Sequence, residues 1–254
     1  AGIGFFVALL VFIAVGLVAM WVPILVSAAI VRHHRMLVFK PRFQPREWPS
    51  LMGGGFPFAV ISLALTVAFS IDTVMLSWSV PANEVGWYNV AYGLARSIVS
   101  FLSGFTIALV PSLTRAYVND TAVVERWYFR SVKFIAVLSM PAAMGAMMIA
   151  YPAIGMLYNA STLPAAGVLQ VIIWDVPLLM FTALCGNMSY VVGAEKDAAR
   201  IYGINALANI VLNLIAIPRY GILGAAVVTV ATDLIGAIQF YIALNRHLRL
   251  PDLR

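Results

Sequence analysis

Seven stretches of this 254-residue chain are long and apolar enough to cross a membrane, which removes most folds from consideration. A hydrocarbon layer about 30 Å thick takes a helix of about 20 residues, and only structures that satisfy their own backbone groups survive inside it. The stretches run over 5–31, 52–79, 86–113, 133–157, 165–192, 201–217 and 221–244. Charged residues are only 10% of the chain, against about a quarter in soluble domains. The expected fold is an all-α polytopic membrane protein of seven transmembrane helices. Residues 1–31 hold the first, 32–50 a basic linker, 51–246 a six-helix unit, and 247–254 a tail.

The charges sort by loop. Arg32, Arg35, Lys40, Arg42 and Arg46 fill the first connection, while the next, around Pro81 to Glu84, has no basic residue. Arg115, Arg126, Arg130 and Lys133 follow, then a loop with none, then Lys196 and Arg200, then Arg219 alone, and finally Arg246, Arg249 and Arg254. Basic residues favour the cytoplasmic side, so this alternation predicts an external first end and a cytoplasmic tail. The net charge of +6 is therefore read as a membrane-orientation signal, with no nucleic-acid partner. Trp78, Trp87, Tyr88, Tyr158 and Tyr220 are expected near the outer boundary, and Trp48, Trp127 and Tyr202 near the inner one. The chain starts at Ala1 inside an apolar run without a leader pattern, which reads as a piece of a longer polytopic protein.

Residues 200–233 form a hairpin of unusual composition. Asn205, Asn209 and Asn213 are spaced by four, as are Ala225, Thr229 and Asp233, with Pro218 and Gly221 between the two sets. Residues four apart share a helix face, so each arm carries one polar or small stripe. Counting outward from the turn puts Asn213 level with Ala225, Asn209 with Thr229, and Asn205 with Asp233 about 18 Å down. That register makes Asn213 and Ala225 packing positions near the turn and Asn205 with Asp233 the functional end. Interhelical glue is the plainer role for the asparagines, although such bonds stabilise by only about 0.6 kcal/mol each.

Four ionisable residues lie inside spans: Asp72, Arg96, Asp175 and Asp233. A charge at the bilayer centre costs about 2.5–3.5 kcal/mol, so all four are expected to face protein or water. Counted from the outer ends, they lie about 10 to 18 Å deep and converge with Asn205 and Asn209 on one polar band. Asp72 and Arg96 form a structural ion pair, or Arg96 meets an anion in a central cavity. Asp175 and Asp233 are neutral acids bonded to neighbours, or a site that takes H+ or Na+. The substrate or cavity set is Arg96, Asn205, Asn209 and Asp175; Asp72 and Asp233 are the ion-coupling or ion-pair set.

The sequence contains no HExxH, GxSxG, Walker or CxxC motif and no GxGxxG after a strand, so no catalytic role, cofactor or metal site is expected. Cys185 stands alone, which leaves no internal disulfide.

Ile71-Asp72, Met75-Leu76, Glu84-Val85-Gly86-Trp87-Tyr88 and Ala91 resemble the seventh-to-eighth helix junction of polysaccharide and O-antigen flippases. Gly193, Lys196, Asn209, Asn213, Ile217-Pro218, Gly221, Gly224-Ala225-Ala226 and Thr229 resemble their eleventh and twelfth helices. These flippases belong to the multidrug/oligosaccharidyl-lipid/polysaccharide superfamily. The resemblance implies that 5–31 is a sixth span, that 51–246 is the second of two pseudo-symmetric lobes, and that about five helices precede the chain. It further implies a bacterial inner-membrane carrier that moves undecaprenyl-diphosphate-linked glycan between leaflets for surface polysaccharide or lipopolysaccharide. Its partners would be lipid-linked glycan, membrane lipids and the missing N-terminal lobe. The alternatives are a cation-coupled drug or metabolite antiporter of the same superfamily, and a non-transporting scaffold of a polysaccharide assembly complex. Three buried acids beside one Arg make this lobe a poor diphosphate cradle by itself, so the cations lie elsewhere or the acids serve ion coupling.

Overall fold

A computed structural model describes residues 47–119 and 121–248, together with part of 15–30; the side chains of 101–110 and a few nearby positions are not described. The described residues between 15 and 30 are helical, and the expected linker and most of the expected tail lie outside the description. The chain divides into two compact units, residues 1–49 and 50–254.

The described part is all-helical. The helices are α1 (Trp48–Ser79), α2 (Ala82–Asn119), α3 (Thr121–Met148), α4 (Ala150–Leu157), α5 (Ala165–Ile172), α6 (Asp175–Val191) and α7 (Glu195–Leu244). Three of them, Trp48–Ser79, Ala122–Met148 and Glu195–Leu244, are long and apolar enough to cross a membrane. Counted as one span, the pair α5 and α6, bent by 40° at its break, makes a fourth.

At 50 residues α7 would be about 75 Å long if straight, far more than a bilayer needs. It is two arms instead. Gly221 has φ 57° and ψ −139°, a conformation without penalty only for glycine, and the chain reverses there. Pro218 is accommodated inside the first arm, which continues through Tyr220. The arms meet closely: a β-carbon at Gly224 would come within 2.7 Å of the Ala216 carbonyl oxygen. A second hairpin joins α1 to α2 across Val80 and Pro81, where Thr73 Oγ1 donates to Asn89 Oδ1 at 2.7 Å.

The core gathers on α5 and α6. Ile172, Ile173, Val176, Met180, Leu184, Cys185 and Met188 are all buried, as are Tyr88, Tyr128 and Phe240 from the surrounding helices. At about 1.5–3 kcal/mol per large apolar side chain removed from water, such burial would dominate a soluble fold; in lipid, tight packing replaces it. The opposite arrangement holds for α1. Leu51, Met52, Phe56 and Leu63 are 67–71% exposed, and its buried positions are mainly Pro57, Ile61, Ala64, Asp72, Met75 and Leu76.

Candidate polar hub at the meeting of two hairpins

The two hairpin turns lie side by side, since a β-carbon at Gly221 would approach Val80 Cγ1 to 4.0 Å and Glu84 Oε2 to 3.8 Å. Asp72 and Tyr88 each stand eight residues from Val80, and Asn213 and Thr229 each stand eight residues from Gly221. Equal helical rise puts all four about 12 Å from the turns. They meet there. Asp72 Oδ1 accepts from Asn213 Nδ2 at 2.7 Å, and Asp72 Oδ2 accepts from Tyr88 Oη at 2.8 Å and Thr229 Oγ1 at 2.7 Å.

The hub is buried and continuous. Asp72 is 3% exposed, Tyr88 and Asn213 are fully buried, and Thr229 is 5% exposed. Asn213 Nδ2 also donates to Asn209 Oδ1 at 3.1 Å, and Asn209 Nδ2 reaches Thr232 Oγ1 at 3.5 Å. The Thr229 hydroxyl lies 3.0 Å from the Ala225 carbonyl, so it has a second acceptor. Asn213 Oδ1 is buried without a partner. As a carboxylate, Asp72 accepts all three donors. As a neutral acid, its Oδ2–H can donate a hydrogen bond to Thr229 Oγ1 while that hydroxyl turns to donate to the Ala225 carbonyl; both states keep their donors paired.

The remaining polar residues lie below. A cavity of about 40 Å³, room for ordered water, is lined by Asn205, Asn209, Thr229, Thr232, Asp233 and Tyr92 among others. Asp233, on its lining, lies beside the buried carboxyl group of Asp175. Asp175 sits in the first turn of α6, just after the bend, and is 1% exposed with Oδ1 unpartnered. Asn205 packs its amide on Gly236, where any β-carbon would collide with it.

Several expectations change. Asp72 and Arg96 do not form an ion pair: both Asp72 oxygens are taken by neutral donors. Arg96 is exposed, with its guanidinium 4.2 Å from the Phe69 ring centroid and 5.9 Å from that of Tyr92. Because the chain reverses at Gly221 and not at Pro218, the rungs shift by about one turn. Asn209 faces Thr232, and Asn205 faces Gly236 in place of Asp233. Asn213 is a direct partner of the buried acid, not merely a packing position. Tyr88 is wholly buried on Asp72, so it does not belong to an interfacial belt, whereas Trp78 and Tyr220 are 81% and 70% exposed. Tyr88 and Thr232 were not singled out as site residues. The equal spacing of Asp72 and Tyr88 about Val80 is the sequence signal that points to Tyr88. Among the described residues no group of three His, Cys, Asp or Glu is placed to hold a metal ion.

Known proteins resemble this chain in sequence and in fold. The profile of the polysaccharide biosynthesis protein family matches residues 1–166. A probable flippase of Haloferax volcanii, AglR, is 24% identical over 180 residues, covering 69% of this chain and 38% of that protein. The same organism's probable low-salt glycan biosynthesis flippase Agl15 is 22% identical over 160 residues, covering 63% and 34% respectively. An uncharacterized membrane protein of Methanocaldococcus jannaschii is 25% identical over 168 residues, 63% of this chain and 32% of that one. The chain thus spans about a third of the length of the curated relatives it matches. The lipid II flippase MurJ in an inward closed conformation superposes with a TM-score of 0.67 at 16% identity, over 81% of this chain and 45% of MurJ, and so shares the fold. Paired apolar helices, a family profile over residues 1–166 and a MurJ-like fold agree: the chain belongs to the polysaccharide biosynthesis protein family.

Proposed function

We propose that this chain is the C-terminal lobe of a flippase that moves undecaprenyl-diphosphate-linked oligosaccharide from the cytoplasmic to the outer leaflet, by alternating access between two lobes. The whole protein would sit in the cytoplasmic membrane with its C-terminus inside. Transport of this kind needs a polar path through a dry layer for the diphosphate and sugars, while the prenyl tail remains in lipid. Exposed Arg96, held by Phe69 and Tyr92, is the cation this lobe offers an anionic head. Further cations would come from the missing lobe, since the other charged groups of the band are acids.

One observation carries the coupling part of the proposal: Asp72 ties loosely packed α1 to α2 and to both arms of α7. Two carboxylate oxygens, Thr229 Oγ1, the free Asn213 Oδ1 and the Ala225 carbonyl together offer the hard oxygen donors that a small cation prefers. A proton uses the same hub through the hydroxyl switch at Thr229. Binding H+ or Na+ at Asp72 changes how firmly α1 is held, and α1 links that change to lobe motion. The Asp175–Asp233 pair is the second titratable element of the same band.

Expression of the full-length protein in a flippase-null strain with the matching glycan tests the reading. Restored surface polysaccharide is expected. Cation-dependent efflux of small organic compounds without a glycan phenotype would instead assign an antiporter of the same superfamily. Variants of Arg96 and Asp233 that lower assembly and transport in strict proportion would assign a scaffold.

A further inference from the structure

Near the end of α1 away from the hub, the helix stands off from the first arm of α7. The gap is a slot of about 540 Å³. Phe56, Val60, Ile204 and Leu207 form apolar walls, and Phe56 and Leu207 are 67% and 63% exposed. Gly53 and Gly203 widen the slot, since a β-carbon at either would meet nothing within 4 Å. Lys196 and Arg200, one helical turn apart on the same face, stand at one end of it. The neighbouring acid Asp197 turns instead to His247 Nε2 at 3.5 Å, and among the described residues neither Lys196 nor Arg200 forms an ion pair.

We infer that the slot between α1 and α7 seats one anionic glycerophospholipid, with an acyl chain along Phe56, Val60, Ile204 and Leu207 and its phosphate on Lys196 and Arg200. An apolar slot of this size inside a bilayer has no polar wall to hold water and is filled by hydrocarbon. Two unpaired cations at one end select a chain that carries negative charge at its head. The start of the α7 helix adds its own positive end, offset in part by Glu195 and Asp197 in its first turn. Beyond those two cations the slot lining offers no hydrogen-bonding side chain, so a sugar-bearing head finds no partners there. A simple phospholipid matches the lining better than glycan cargo. The lipid fills the space beside the weakly packed half of α1 and thereby makes that helix sensitive to the anionic lipid content of the leaflet it faces.

The inference rests on membrane placement and not on the cargo, so its failure would leave the flippase reading standing. Full-length protein in phosphatidylcholine nanodiscs doped with phosphatidylglycerol, examined by native mass spectrometry, is the test. One phosphatidylglycerol is expected to be retained in preference to phosphatidylcholine. Lys196→Ala with Arg200→Ala should weaken retention about thirty-fold, at about 1 kcal/mol per cation. Gly203→Leu fills the slot while leaving both cations and improving helix propensity, and it should also lose the lipid. Three results each overturn the inference: equal retention of phosphatidylcholine, unchanged retention in either variant, or displacement of the phospholipid by the lipid-linked glycan.

Discussion

Replacing Asp72 by alanine removes the acceptor of three donors at once, and the hydrogen inventory says which of them recover. Thr229 can return its proton to the Ala225 carbonyl at 3.0 Å, and the second amide hydrogen of Asn213 still reaches Asn209 Oδ1. Tyr88 Oη and one Asn213 N–H stay orphaned in a buried site, at about 1–3 kcal/mol each, so Asp72→Ala should cost about 2–6 kcal/mol. Asp72→Asn keeps an oxygen for Asn213 and donates its own amide to Thr229, which leaves only the Tyr88 proton unplaced and a cost of about 1–3 kcal/mol. Tyr88→Phe removes the tyrosine orphan of the alanine variant, so Asp72→Ala with Tyr88→Phe should recover about 1–3 kcal/mol of that variant's loss. Unfolding of full-length protein in mixed detergent micelles, followed by tryptophan fluorescence, reads these differences as a double-mutant cycle. Equal loss in the alanine and asparagine variants, or no rescue by phenylalanine, would refute the hub.

Gly236→Ala drives a β-carbon into the Asn205 amide and should destabilise by about 1–3 kcal/mol, with Asn205→Ala restoring most of it in the same unfolding assay. Gly221→Ala must hold φ near 57° at the hairpin reversal, so its midpoint should fall by the equivalent of about 1–2 kcal/mol. Asp233→Asn offers the neighbouring Asp175 carboxyl an amide donor, so stability should hold within about 1 kcal/mol, whereas Asp233→Leu leaves that buried carboxyl beside an apolar side chain and should lower protein levels. If Asp233→Asn also transports at the full rate, Asp233 has no part in coupling.

Much of this lobe is legible before any coordinates. Apolar lengths, the Pro81 and Gly221 breaks and the stripe of Asn205, Asn209 and Asn213 give the hairpins and the convergence of polar residues. The error lay in the register. Pro218 and Gly221 together mark the break in the sequence, yet Pro218 sits inside the last turns of the first arm and the reversal is the positive-φ glycine alone. Centred on Gly221 and Val80, the depths of Asp72, Tyr88, Asn213 and Thr229 coincide, so the hub was within reach of helical arithmetic alone. The rotation of each helix was not. A stripe on one helix does not say which neighbour it faces, and the plausible Asp72–Arg96 pair failed because Arg96 points to its own aromatic neighbours, Phe69 and Tyr92. The slot beside Lys196 also escaped notice, since a gap between two helices leaves no periodicity in either sequence.

Transbilayer movement of the cargo itself is the decisive quantity. Full-length protein reconstituted into vesicles with a fluorescent undecaprenyl-diphosphate oligosaccharide on one face can be followed by a glycosidase confined to the other. Wild-type protein should render most of the glycan cleavable under a proton or Na+ gradient, and Asp72→Asn, folded and inserted equally, should not. Glycan that stays protected with wild-type protein under either gradient, or that moves equally well with Asp72→Asn, would contradict a flippase coupled through this hub.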